Sequence, residues 1–209
     1  MFREMPPPDP ARWHNVLRVP PRARAVQASV LAMEEQMIRA MAVTVSNRAA
    51  AGVYADRSGP VLVELLENLG CDVHGPVVIP DGEPVAEVLR DAVAGGYDVV
   101  VTSGGTGLTP MDQTPEMTRQ VVEREIPGIA EAIRQQSREV VPAAVLSRGL
   151  AGVAGRTLIV NLPGSTGGVR DGMAVLGPVL HHAVDQIGGG DHVRSDEDDD
   201  GLPDMGGLL

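Results

Sequence analysis

The sequence predicts an α/β protein of three layers, a mostly parallel sheet with helices on both faces. Three observations predict it. Strand-length apolar runs alternate with stretches of helical periodicity across residues 38–191. One of those runs, Val99-Val100-Val101, is continuous, as in a strand buried on both faces. Glycine-rich segments directly follow two strand candidates, at the end of an open α/β sheet where ligands sit.

The elements follow in order. Residues 38–46 form the first strand candidate, and the cap-like Ser58-Gly59-Pro60 opens a helix with Leu62, Leu65, Leu66 and Leu69 on one face. Residues 73–79 read as a second strand. A helix from Pro84 presents Val85, Val88, Leu89 and Ala92. Residues 97–102 form the buried strand. Thr114-Pro115 then reads as an N-cap with proline in the first turn, beginning a helix whose apolar side is Met117, Val121 and Val122. Pro127-Gly128 breaks it before another helix through Ile129 and Ile133. A strand at 157–161 precedes the last helix, where Val169, Met173, Leu176, Leu180, Val184 and Ile187 form a stripe expected to bend at Pro178.

Length and composition set the boundaries. The 209 residues suit one domain. Residues 1–37 read as an N-terminal extension, Pro/Arg-rich and disordered at least to about 24. Residues 38–191 make the folded domain, and 192–209 an acidic, disordered tail. No apolar run approaches the ~20 residues needed to span a bilayer. The first residues lack a signal-peptide apolar region, and one cysteine, Cys71, allows neither an internal disulfide nor a cysteine metal cluster. A cytoplasmic protein is expected.

Net charge is −11, with the first 24 residues at +3 and the last 19 at −6. The acidic body argues against non-specific nucleic-acid binding, which needs a basic face. The chain contains no lysine, which removes Schiff-base chemistry and the P-loop lysine.

The chemistry concentrates in a few segments. Ser103-Gly104-Gly105-Thr106-Gly107 closes the buried strand, and its backbone N–H groups could converge on an anion beside two hydroxyls. Taken alone, such a cluster is better explained as a tight turn. Asn161-Leu162-Pro163-Gly164-Ser165-Thr166-Gly167-Gly168 also closes a strand, and Ser165 or Thr166 caps the last helix. Two such loops at one sheet edge strengthen the anion reading. Asp81 and Asp112 each precede a helix start, whose partial positive charge favours the ionised carboxylate. Beside phosphates, ionised aspartates call for a divalent cation such as Mg²⁺. Arg148, after Ser147, either clamps a phosphate or pairs with a surface acid. His181-His182 read as packing or surface residues. With no Ser-His-Asp order, catalytic cysteine or HExxH, the inventory suits phosphoryl or nucleotidyl transfer better than hydrolysis.

Residues Thr102 to Glu116, reading TSGGTGLTPMDQTPE, resemble the signature of the MogA/MoaB-type molybdenum-cofactor biosynthesis proteins. Asn161-Leu162-Pro163-Gly164-Ser165 resembles the family's second signature, and Tyr54-Ala55-Asp56-Arg57-Ser58-Gly59-Pro60, Ile79-Pro80-Asp81 and Leu146-Ser147-Arg148-Gly149 match further. The resemblance covers about residues 38–192. It implies a three-layer α/β fold, usually a homotrimer, and Mg²⁺- and ATP-dependent adenylylation of molybdopterin with release of pyrophosphate. It implies hand-over of product to a molybdate-inserting enzyme.

By the same resemblance, Asp81 and Asp112 are the catalytic acids, one or both of them holding Mg²⁺. Ser103, Gly104, Gly105, Thr106, Gly107, Ser147 and Arg148 bind substrate, and Pro163, Gly164 and Ser165 line the same cleft. Asn47 stands where members often carry aspartate, and Thr166-Gly167 replaces a frequent proline-containing pair. Residues 1–32 lie outside the pattern, as an extension or as an overlong start before Met33 or Met37. The alternatives are a non-catalytic molybdopterin-binding or scaffolding module, or a domain for another phosphorylated ligand.

Overall fold

The computed structural model describes residues 37–190 except Glu139. The expected disordered segment at 6–24 and the acidic tail from 192 lie outside the described residues. Six strands form one sheet: β1 (Arg39–Val45), β2 (Asp72–Ile79), β3 (Val99–Ser103), β4 (Arg124–Glu125), β5 (Ala151–Ala154) and β6 (Thr157–Leu162). Their order is β2-β1-β3-β6-β5-β4. The first four in that order are parallel, while β5 and β4 add an antiparallel edge. The helices are α1 (Asn47–Ala50), α2 (Ser58–Glu67), α3 (Glu83–Ala94), α4 (Thr114–Arg119), α5 (Pro127–Arg138) and α6 (Thr166–Gly188), with a 3₁₀ turn at Pro142–Leu146.

Alternation through the central strands makes the three layers. Val99 and Val101 of β3 face one helical layer with Ala40, Ala42, Leu158, Val160 and Leu162. There they meet Leu62 and Leu66 of α2, Ile133 of α5 and Val169, Met173, Leu176 and Leu180 of α6. Val100 faces the other layer with Met41, Val43, Val45 and Ile159, against Val85, Leu89 and Ala92 of α3. Both faces of β1, β3 and β6 are therefore buried, which is why these strands read as unbroken apolar runs. Each fully buried leucine or valine contributes about 1.5–3 kcal/mol.

Three local expectations need correction. Helix α4 stops at Arg119, and Val121 and Val122 pack on the core from the turn beyond it. The sequence reading missed β4 and β5, which are only two and four residues long. Strand β5 is Ala-Gly-Val-Ala, with little β propensity, and depends on its hairpin with β6. Thr114 is not the cap of α4. Gln113 holds that position without a side-chain cap, and the Thr114 hydroxyl donates elsewhere.

Register sets the location of the site. Thr44 pairs with Ser103, and Ser103 with Leu162, so β1, β3 and β6 end together. The chain order reverses between β1 and β3, the crevice where parallel sheets take ligands.

Candidate active site

The glycine loop leaves β3 between the ends of β1 and β6. Gly104 N donates to Leu162 O at 3.0 Å, pinning the loop to β6. A side chain at Gly104 (φ +110) would lie 2.2 Å from Val45 O, so only glycine lets the loop lie against β1. Beyond that anchor, the N–H groups of Gly105, Thr106 and Gly107 donate to no described residue. Ser103 belongs to the strand rather than to the loop. Its Oγ is fully buried and has no hydrogen-bond partner. Unpaired donors at the end of a buried strand suit an anion, which would satisfy them.

The second glycine loop converges on the same cleft. Ser165 caps the 23-residue helix α6, its Oγ accepting from Gly168 N at 3.0 Å. The N–H groups of Thr166 and Gly167 then stand free at the positive end of the helix. Gly104, Gly105, Thr106, Gly107, Pro163, Gly164 and Ser165 all line one cavity of about 900 Å³. A second cavity of about 560 Å³ shares Thr106, Gly107, Pro163 and Ser165 with it and adds Ser147. Its far wall is apolar, with Leu108, Val140, Val141 and Leu146, and includes the unpartnered Ser137 hydroxyl.

The two acids separate in role. Asp112 lines the larger cavity. Its Oδ2 accepts from Thr109 N (2.9 Å) and Thr109 Oγ1 (2.7 Å), while Oδ1 accepts from no described residue. Asp81 does not line the cavity. Its carboxylate packs against Gly105, where an added Cβ would lie 2.2 Å from Oδ2. Asp81 Oδ1 accepts from Gly82 N (2.8 Å) and Thr114 Oγ1 (3.1 Å), and Oδ2 from Gln113 N (3.1 Å). It thus holds the start of α4 as well as Gly82, the residue that caps α3. The sequence argument from helix ends favoured an easily ionised Asp81. Burial instead pushes its carboxyl above the usual range, against the pull of those hydrogen bonds, and nearby Asp112 adds to the rise.

Arg148 takes the second of its two expected uses, pairing with the acid Glu116. Its Nε donates to Gly107 O at 2.7 Å and its other nitrogens to Asp112 O at 2.5 Å and to the Glu116 carboxylate. The guanidinium lines neither cavity and ties the glycine loop to the Asp112 segment. Ser147 reaches that loop directly, with its Oγ 3.2 Å from Thr106 Oγ1. Asn161 secures the floor, donating from Nδ2 to Thr102 Oγ1 and Thr118 Oγ1, both at 3.0 Å.

The sequence reading assigned no role to one wall of the larger cavity, built from Ser46, Arg48, Tyr54, Asp56, Arg57 and Ser58. Asp56 is the second acid lining that cavity, beside Asp112. Oδ1 accepts from Ser58 N and Gly59 N at 3.0 Å, and Oδ2 from Thr44 Oγ1 at 2.7 Å, so it caps α2 against β1. The Asp-Arg-Ser-Gly spacing before an apolar helix was the available signal. Asn47, where an aspartate was expected, accepts from Asp81 N at 2.9 Å through Oδ1. Cys71 sits at the opposite end of the sheet, before β2, and burial pushes its thiol up to about 11. His181 Nε2 lies 2.8 Å from Leu69 O, a packing contact on α6.

Among the described residues, no group of three or more His, Cys, Asp or Glu side chains could hold a metal ion. Mg²⁺ commonly needs only one or two carboxylates together with substrate phosphates. The open Oδ1 of Asp112 fits that requirement, while three of the roughly four lone-pair sites of the Asp81 carboxylate are already taken.

Residues 41–182 match the family described as a probable molybdopterin binding domain. The chain is 42% identical over 133 residues to the molybdopterin adenylyltransferase of Haemophilus influenzae, covering 62% of this chain and 68% of that protein. It is 32% identical over 184 residues to gephyrin of Dictyostelium discoideum, covering 83% of this chain and 26% of the relative. It spans between about a quarter and a half of several other curated relatives. Among solved structures, the molybdopterin biosynthesis Mog protein of Mycobacterium ulcerans superposes with a TM-score of 0.69 at 54% identity, over 71% of this chain and 98% of that one.

Proposed function

The chain belongs to the MogA/MoaB-type molybdenum-cofactor biosynthesis family, and from that premise we propose that it adenylylates molybdopterin with ATP. One observation carries the reading. The free N–H groups of Gly105, Thr106 and Gly107, the orphaned Ser103 hydroxyl and the open Asp112 carboxylate oxygen meet in one cleft at the sheet's switch point.

The reaction needs no strong base. An oxygen of the molybdopterin phosphate attacks the α-phosphorus of ATP, the bond to the β-phosphate breaks, and pyrophosphate leaves with the electron pair. The chain has to position two polyanions and offset their repulsion. The glycine loop and Ser103 hold one phosphate. The α6 start, with Gly164 and Ser165, offers donors to a second. Asp112 would hold Mg²⁺, which when bound neutralises triphosphate charge. Asp81 and Arg148 are positioning residues that fix the loop and the Asp112 segment from behind. The reading carries with it a cytoplasmic location, a homotrimer and hand-over to a molybdate-inserting enzyme. No helix among the described residues is long and apolar enough to cross a membrane.

The test is direct. Purified chain given molybdopterin, ATP and Mg²⁺ should release pyrophosphate and yield adenylylated product by mass spectrometry. Binding of the pterin without product would replace this reading with a non-catalytic binding module.

A further inference from the structure

We propose that Arg48 and Arg57 form a polyphosphate wall that takes the pyrophosphate end of a nucleoside triphosphate. They are the only arginines among the residues lining either cavity. In a chain without lysine they are therefore the only permanent cations of those walls. Neither is spent on a carboxylate. The ion pairs among the described residues are Arg90–Glu83, Arg119–Glu125 and Arg148–Glu116. Asp56, adjacent in sequence to Arg57, is fully engaged by Ser58, Gly59 and Thr44.

Arg48 also has a defined seat. Its guanidinium lies 4.9 Å from the centroid of the Tyr54 ring, and the Tyr54 hydroxyl is 2.9 Å from Ser46 Oγ. Two guanidiniums without carboxylate partners on the cleft wall place cationic donors there, beside an Asp56 already engaged by its own neighbours. The glycine loop and the α6 start supply neutral donors for phosphates, but no cation. A triphosphate whose α-phosphorus sits near that loop must extend its β and γ groups elsewhere in the 900 Å³ cavity, and the β1 side is where the charge is.

The inference rests on the adenylylation reading and adds to it. As the bond from the α-phosphorus to the bridging oxygen breaks, negative charge grows on the departing pyrophosphate. Guanidiniums at that end stabilise the transition state without proton transfer.

Inorganic pyrophosphate with Mg²⁺ is the probe, titrated calorimetrically into the full chain. Arg48→Gln and Arg57→Gln should each weaken binding roughly tenfold and the double variant roughly a hundredfold, as expected for lost charged hydrogen bonds. Both side chains are exposed, so thermal unfolding should not move. Molybdopterin affinity should stay within about twofold, since the arginines lie on the β1 side of the cavity and the glycine loop at the end of β3. Arg170→Gln, an equal charge loss on α6 outside both cavities, is the control and should leave binding unchanged. The proposal fails if wild-type chain does not bind pyrophosphate, if the double variant binds it as well as wild type, or if Arg170→Gln weakens it equally. Arginine-dependent pyrophosphate binding without adenylylated product would sink the adenylylation reading and leave this site standing.

Discussion

Substituting Gly105 by alanine tests how the loop and the buried acid depend on one another. Gly105 has φ +63, and an added Cβ would lie 2.1 Å from Thr114 Oγ1 and 2.2 Å from Asp81 Oδ2. Holding alanine in the left-handed region costs about 1–2 kcal/mol. Moving the carboxylate away from Thr114 and Gln113 loses charge-assisted hydrogen bonding worth about 1.5–3 kcal/mol. The expected destabilisation is therefore about 2.5–5 kcal/mol, a large share of the 5–15 kcal/mol typical of a domain. Urea unfolding should show a lowered midpoint with unchanged slope. The two contributions separate in a double-mutant cycle with Asp81→Ala. In that background Gly105→Ala should keep its backbone share and its contact with Thr114 but lose the displacement of the carboxylate, leaving a coupling of about 1.5–3 kcal/mol. Equal costs in both backgrounds would show that the acid is not what the loop rests on.

Asp112→Asn should abolish pyrophosphate release while leaving the unfolding free energy within about 0.5 kcal/mol of wild type, since the side chain is half exposed and its Oδ1 is open. Full turnover in that variant would remove Asp112 from the chemistry. For Asp81, the folded carboxyl titrates above its ordinary 3.8 because burial penalises the charge. Its contribution to stability is greatest below that ordinary value and is lost as pH rises through the raised one. Asp81→Asn removes the titration, so unfolding midpoints should depend less on pH in the variant across that window. A steeper dependence would contradict the assignment. Arg148→Lys should raise both substrates' KM and lower kcat, because an ammonium cannot serve Gly107 O, Asp112 O and Glu116 together in one plane. Wild-type kinetics in Arg148→Lys would return the guanidinium to a surface role.

The legibility of the sequence follows from which forces leave a local trace. Strands β1, β3 and β6 are buried on both faces, so each reads as an apolar run, and the glycines after β3 and β6 mark the site without any structure. Helix α6 announced itself through its stripe and its Ser165 cap. Strand β5 left no such trace, because Gly152 and its alanine neighbours are strand only by pairing with β6. Asp81 and Asp112 were legible as acids near helix starts but not as unlike acids. Their difference lies in contacts over 32 and 33 residues of chain, where Gln113 and Thr114 close on Asp81 and leave Asp112 facing the cleft. The wall of Arg48 and Arg57 was hidden for a different reason. An unpaired arginine looks the same in sequence as a paired one.

These differences share one architectural cause. Connections from β1 and β3 leave in opposite directions across the sheet, so their carboxyl ends open a crevice that no crossover helix fills. Three loops must enter it, after β1, β3 and β6, and each arrives with a different chemistry. The β1 loop brings cations, the β3 loop neutral donors, and the β6 loop a helix start. None of the three closes the crevice alone. Stability therefore has to come from behind it, where Asp81, Arg148 and Asn161 spend charge and hydrogen bonds on backbone and hydroxyl groups instead of on ligand. The groups left open face the cleft, and the groups fully satisfied hold them there. A substitution behind the cleft should therefore register in both unfolding and turnover, whereas one on its open face should register in turnover alone.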